Sequence, residues 1–229
     1  MSAFIPPLLP PRDEEELAMR VQDLSGRTLR EVSAALGRKV PQTLARDKGF
    51  VGIILEAALG ATATSRPEPD FPELGVELKS LPIDPDGRPR ETTFVCTVEL
   101  AELAERTWET SRAKKKLNKV LFVPVEAHPA IDVADRRIGT GFMWTPNARE
   151  EQVLRDDWES AATLIRSGFI DALTAENGEV LQLRPKAPNA KARRTLIDDE
   201  GEMYETLPRG FYLRRGFTEF LLNNRLQVT

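Results

Sequence analysis

The sequence predicts a mixed α/β protein, a mixed sheet flanked by helices, on three observations. Two capping-box patterns, Thr28-Leu29-Arg30-Glu31 and Asn147-Ala148-Arg149-Glu150, announce helix starts. Short runs at 75–80, 91–98 and 120–126 carry the alternating or continuous apolar pattern of strands. Turn chemistry separates them, notably Asp84-Pro85-Asp86-Gly87 and Asn177-Gly178. At 229 residues, 41% hydrophobic and 30% charged, the chain is one large domain or two small ones with a real core.

In chain order, residues 1–11 contain four prolines and few charges, an extended, mobile lead-in. Asp13 can cap a helix running to about Leu24, with Gly26 ending that unit. Thr28 opens a short helix that ends at Gly37, and an apolar helix over 50–59 stops at Gly60. A loop over 61–70 leads into the strand 75–80. After the Asp84–Gly87 turn, 91–98 reads as a strand antiparallel to the first. Residues 109–118 look helical and contain Lys114, Lys115 and Lys116. The apolar strand 120–126 holds Pro124 and is therefore placed near a sheet edge. Another strand is expected within 136–144. Asn147 then opens a long helix to about Ser167, with Val153, Leu154, Trp158, Ala161, Ala162 and Ile165 on its apolar face. Asn177-Gly178 predicts a hairpin between 171–176 and 179–184. A loop over 184–194, a short strand at 211–215 and a last helix at 217–224 finish the chain.

Composition narrows the function. One cysteine, Cys96, excludes an internal disulfide and fits a reducing cytoplasm; it reads as a small buried hydrophobe. One histidine, His128, argues against a zinc cluster or a Cys-His pair, and no role is assigned to it. Neither a Walker loop nor a Gly-x-Gly-x-x-Gly fingerprint is present, and no apolar run reaches membrane length. The net charge is −4, but its distribution is segregated. Arg112, Lys114, Lys115, Lys116 and Lys119 crowd one segment, and Arg184, Lys186, Lys191, Arg193 and Arg194 another. Such a pattern can place a basic surface for nucleic acid on an acidic body.

The candidate chemistry lies between Glu56 and Lys79. In a strand over 75–80, Glu77 and Lys79 share one face while Val76 and Leu78 take the other, so the charged pair is expected on the wet side. Asp70 arrives from the preceding loop and Glu56 from the apolar helix. Three carboxylates and a lysine converging on one strand end suit metal-assisted phosphodiester cleavage, the carboxylates holding Mg2+ and the lysine serving the attacking water. The Glu-x-Lys tripeptide alone carries no weight. With 36 acidic residues and nine lysines in 229, about one match arises by chance, and one occurs. Its context gives it meaning.

Further segments extend the pattern: Arg46-Asp47-Lys48-Gly49, Glu91-Thr92-Thr93-Phe94-Val95-Cys96 and Thr107-Trp108-Glu109-Thr110-Ser111. They continue with Val123-Pro124-Val125-Glu126, Arg184-Pro185-Lys186-Ala187 and Leu207-Pro208-Arg209-Gly210-Phe211-Tyr212-Leu213. With Asp70 and Glu77-Leu78-Lys79, this ordered set resembles the MutH family, the strand-nicking endonucleases of bacterial methyl-directed mismatch repair. The resemblance spans nearly the whole chain; nothing is carried over for residues 1–25, 99–106 or 192–205.

The resemblance implies a restriction-endonuclease-like fold of two arms forming a DNA cleft. The N-terminal arm, roughly residues 12–108, would hold most of the catalytic set; the C-terminal arm, roughly 109–229, would hold Lys116 and the DNA-reading loops. It implies a monomer that makes a Mg2+-dependent cut 5′ of the G in GATC, on the unmethylated strand of hemimethylated DNA, with MutL as activator. By position, Asp70 and Glu77 would hold metal, Glu56 would act nearby, Lys79 would serve the attacking water and Lys116 would complete the site. Arg184, Lys186 and Tyr212 would meet DNA, with Lys48 and Phe94 as further candidates.

Each residue also has a plain structural reading. The lysine run can be a solvated helix end, Phe94 a core residue, and Tyr212 a packing partner of Phe211. The rival functions are a dimeric restriction enzyme cutting both strands and a DNA-binding regulator without catalysis.

Overall fold

The computed structural model describes residues 3–45, 47, 49–63, 67–98, 103, 105–169, 173–174, 176–186, 194–197, 203–206 and 208–226. Contacts divide the chain into two units. The first comprises residues 1–91, 118–145 and 225–229, and the second 92–117 and 146–224.

In the first unit, helices α1 (Glu14–Leu24), α2 (Leu29–Ala35) and α3 (Phe50–Leu59) pack with a sheet of β1 (Glu77–Ile83), β3 (Val120–Glu126) and β4 (Phe142–Trp144). The caps expected from the sequence are in place: Asp13 accepts from the Glu16 amide, and Thr28 and Glu31 form a full capping box. β1 and β3 run parallel with Glu77 opposite Val120, and β4 is antiparallel to β3. Leu17, Val21, Leu29, Ile54, Leu55, Val76, Leu78, Leu121 and Val123 are among the residues of one buried core.

Two strand expectations are corrected here. β3 is the central strand, not an edge, despite Pro124. β4 covers only Val120–Phe122 of β3, and the Pro124 carbonyl accepts from Gly139 on that side. The missing N–H of Pro124 therefore falls beyond the paired stretch of β4 and breaks no ladder bond. The strand after the Asp84–Gly87 turn does not pair with β1 either. The turn forms, with Asp84 Oδ1 accepting from Asp86 and Arg88, but pairing ends after the Ile83–Pro89 bridge. Strand β2 (Thr93–Val98) joins the other unit's sheet.

In the second unit, β2 and β5 (Leu181–Pro185) flank β8 (Arg209–Leu213), all antiparallel. Helix α4 (Arg112–Leu117) packs on β2, and the long helix α5 (Ala148–Arg166) packs on β5. Trp108, Trp158, Leu181, Leu183, Phe211 and Leu213 are buried, with the two indoles 6.2 Å apart. Strands β6 (Arg194–Ile197) and β7 (Met203–Thr206) form a separate antiparallel pair, and α6 (Arg215–Leu226) closes the fold.

A turn leads into Asn177-Gly178, the Asn177 amide donating to the Thr174 carbonyl, while residues 171, 172 and 175 of the expected first hairpin strand lie outside the described residues. β5 pairs with β8. Three successive amides, Glu179, Val180 and Leu181, donate to Asp157 on α5, so a helix side chain rather than a partner strand fixes this corner. Among the described residues no helix is long and apolar enough to cross a membrane.

The second unit also holds a pH-dependent anchor. Glu151 accepts from Trp108 Nε1 at 2.8 Å and from Lys114 Nζ at 2.6 Å. Burial pushes the Glu151 pKa up, but these hydrogen bonds and the charges of Lys114 and Arg155 outweigh it and hold the carboxyl below its usual range. A depressed folded-state pKa contributes stability above the unfolded carboxylate value, about 4.3, and loses it as pH falls through the folded value. Glu151→Gln is expected to lower the Tm at neutral pH, with the deficit closing on acidification. A deficit that stayed constant from neutral pH into the acid range would assign the effect to packing alone.

Candidate active site and nucleic-acid interface

A tight return delivers Asp70 to β1. Phe71 and Val76 bridge antiparallel, each amide donating to the other's carbonyl, around a 3-10 turn at Pro72–Leu74. Gly75 closes the return at φ 65°, a left-handed conformation that favours a residue without Cβ. Asp70 thereby comes level with Leu78, whose amide donates to Asp70 Oδ2 at 2.8 Å. A side-chain oxygen stands in for a strand partner along the outer side of β1. The Asp70 carbonyl also accepts from Thr62 and Ala63, tying the segment after α3 to the same loop.

Glu77 and Lys79 share a face as expected, and Lys79 Nζ donates to Glu77 Oε1 at 2.7 Å. The expectation that this face is wet is corrected: Glu77 is only 3% exposed. Opposite Glu77 and Lys79 on β3 stand Val120 and Phe122, and the Phe122 ring packs against Phe142 and Trp144 at 5.5 and 6.0 Å. Parallel strands are commonly covered on both faces, so alternation of charge does not by itself mark solvent. Burying a carboxylate costs roughly several kcal/mol unless it is paired, and Lys79 is the pairing charge.

The third carboxylate, Glu56, comes from a different element. Glu56 sits half-buried on α3, which packs on β1, but its Oε1 would lie 3.8 Å from a Cβ at Gly52, one turn back along the same helix. Helical side chains lean towards the N-terminus, which draws Glu56 along its own helix. Among the described residues no three His, Cys, Asp or Glu side chains gather to hold a metal. Asp70 and Glu77 thus stand as a pair of hard oxygen donors. That donor set suits Mg2+, which takes one or two carboxylates and fills its shell with waters and substrate phosphate.

In the second unit, Lys116 lies in the last turn of α4 at 9% exposure. The lysine run is only partly a solvated helix end: Lys115 is exposed, but Lys114 is bound to Glu151 and Lys116 is buried. Lys48 lies outside the described residues.

Four of the remaining candidates form one cluster on the β2-β8-β5 sheet. The Phe94 and Tyr212 rings meet edge to face at 5.3 Å. Arg184 lies over the Tyr212 ring at 5.2 Å and Lys186 Nζ over the Phe94 ring at 3.5 Å. Thr92 Oγ1 accepts from Arg184 at 2.9 Å, and Lys186 Nζ pairs with Thr97 Oγ1 at 3.2 Å. Two aromatics thus hold two cations in fixed places, each contact contributing about 0.5–2 kcal/mol. Burial pushes the Tyr212 phenol pKa up, more than the Arg184 charge pulls it down, so the hydroxyl stays protonated at neutral pH.

Sequence reasoning missed the supports of this cluster. Simple alternation would set Cys96 beside Phe94. A bulge between them shifts the register, so Cys96 faces Phe211 inside the unit, buried as expected, and Thr97 comes to the side of Phe94. Gly210, opposite both Thr97 and Arg184, is the other support. A Cβ there would stand 2.9 Å from Phe94 Cε2 and 3.1 Å from the Cys96 carbonyl. Gly210→Ala is expected to displace the Phe94 ring and to cost about 1–3 kcal/mol, as overpacking does. Urea unfolding measures this, and an unchanged midpoint would show that the ring yields freely.

Comparison with known proteins gives a consistent result. A family model described as "DNA mismatch repair enzyme MutH" matches residues 59–157. A DNA mismatch repair protein MutH of Escherichia coli is 51% identical over 222 residues, 97% of each chain. One of Shigella boydii is 50% identical over 222 residues, again 97% of each chain.

Proposed function

The chain belongs to the MutH family of DNA mismatch repair enzymes, and we propose that it is the nicking endonuclease of that pathway. The family's fold is restriction-endonuclease-like, to which the mixed α/β architecture conforms. The proposed reaction is hydrolysis of one phosphodiester 5′ of the G in GATC, on the unmethylated strand of hemimethylated duplex, in the cytoplasm, by a monomer that MutL activates. The observation that carries the reading is the Asp70–Leu78 hydrogen bond, which brings a second carboxylate to the strand that bears the Glu77–Lys79 pair.

Asp70 and Glu77 would hold Mg2+, whose Lewis acidity serves both the phosphate and the attacking water. Lys79, fixed by Glu77, orients that water and offsets the charge that builds on the phosphate. Glu56 would act nearby from α3, directly or through water, and Lys116 is assigned to the same reaction as a further positive charge. Lys186 would read guanine O6 and N7 in the major groove, where each base pair has its own donor and acceptor pattern. Arg184 would contact backbone phosphate, Phe94 and Lys48 would contact DNA, and Tyr212 would stand beside adenine N6.

The test is a supercoiled plasmid with hemimethylated GATC sites, incubated with Mg2+ and with or without MutL. Open circles cut only on the unmethylated strand are expected. Linear product would instead identify a double-strand cutter, and no cleavage even with MutL would leave a DNA-binding regulator. Ca2+ in place of Mg2+ should permit binding with little cutting.

A further inference from the structure

Beside the Arg184–Tyr212 contact, the second unit opens into a cavity of about 680 Å³. Thr92, Gln182, Arg184, Arg214, Arg215 and Gly216 contribute to its lining. Three of these are guanidinium side chains, against one lining carboxylate, Glu179. Two features point to a ligand. The first is the start of α6, a helix of 12 residues. The Arg214 carbonyl accepts from Phe217 and Thr218, but the Arg215 and Gly216 amides have no acceptor among the described residues. Arg214, in the capping place, has no side-chain acceptor to offer. A Cβ on Gly216 would meet nothing within 4 Å, so the space beside this residue is open.

The second feature is Gln182. It lies opposite Tyr212 in the ladder and is only 4% exposed, yet its side-chain amide has no hydrogen-bond partner among the described residues. Its side chain lines the cavity, so a ligand there would meet its amide group. Its N–H groups, the two helix amides and the guanidinium groups are all donors, and they converge where a helix N-terminus favours negative charge.

We propose that this cavity binds a phosphate group, donors coming from the Arg215 and Gly216 amides, the Gln182 side chain and the Arg215 guanidinium group. Resting on the nuclease reading above, the phosphate is one of the duplex backbone, a contact additional to that of Arg184; free inorganic phosphate is the other source.

Isotope-labelled protein should be titrated separately with inorganic phosphate, with a duplex lacking GATC, and with chloride at matched ionic strength. The Gly216 backbone amide and the Gln182 side-chain amide are expected to shift with phosphate and, at far lower concentration, with duplex, but not with chloride. Arg215 is exposed, so Arg215→Gln should fold normally; it is expected to weaken the phosphate response and to flatten the plot of log affinity against log salt by roughly 0.9. A phosphate response without a duplex response would keep the site and assign it to free phosphate. The proposal is overturned if both reporters ignore phosphate and duplex, or if chloride moves them equally. It is also overturned if Arg215→Gln changes neither phosphate affinity nor salt slope. A protein that fails to nick GATC plasmids while both reporters respond to phosphate would sink the nuclease reading and not this one.

Discussion

Asp70→Asn is expected to abolish strand nicking while leaving the fold almost unchanged. In the structure Asp70 has two separable jobs. Its Oδ2 accepts from the Leu78 amide at 2.8 Å, and its charge, with that of Glu77, supplies the hard oxygen donors for Mg2+. Asparagine keeps an oxygen to accept from Leu78 and loses the charge. Nicking should fall by roughly a hundred- to a thousand-fold or more, the range seen when one electrostatic element of an active site is removed. Duplex binding should persist or tighten slightly, because a negative charge facing phosphate has gone. Asp70→Ala should lose activity equally and stability as well, about 1 kcal/mol or more, since the Leu78 amide is left without its partner. Initial rates on a hemimethylated GATC duplex, beside urea midpoints, separate the two jobs. Wild-type nicking by Asp70→Asn would remove Asp70 from the metal set.

What was legible in the sequence was local. Asp13, Thr28 and Asn147 cap helices because each bonds to an amide within three residues. The shared face of Glu77 and Lys79 follows from strand period alone. What failed depended on distant partners. Whether the Glu77 face is wet is decided by Val120 and Phe122, more than 40 residues away, and by the rings stacked on Phe122. Pro124 is tolerated at the centre of a sheet because β4 is three residues long. The Phe94–Tyr212 cluster needed a bulge that only pairing with β8 reveals. Family resemblance supplied Phe94, Arg184, Lys186 and Tyr212 as separate names. The structure makes them one unit, and that changes how a substitution in any of them should be read.

Tyr212→Ser is therefore expected to narrow the preference for unmethylated over methylated strands, and Tyr212→Phe to keep most of it. Methylation at adenine N6 adds a carbon in the major groove and removes one of two donor hydrogens. Discriminating against that carbon needs a wall that does not yield. The Tyr212 ring is braced by its edge-to-face contact with Phe94 and by the Arg184 guanidinium over it, at 5.3 and 5.2 Å. A braced ring cannot swing aside cheaply, whereas serine leaves open space. Phenylalanine retains the ring and both bracing contacts and loses only the protonated hydroxyl. The loss in Tyr212→Ser should amount to roughly 1–3 kcal/mol of discrimination, the usual value of one good base contact. Initial nicking rates on duplexes methylated on one chosen strand give the ratio for each variant. If Tyr212→Ser lowers both rates by the same factor, Tyr212 braces Arg184 and Phe94 and another group senses the methyl. If Tyr212→Phe loses the preference as fully as serine does, the hydroxyl reads the N6 donor directly and the steric wall is the wrong account.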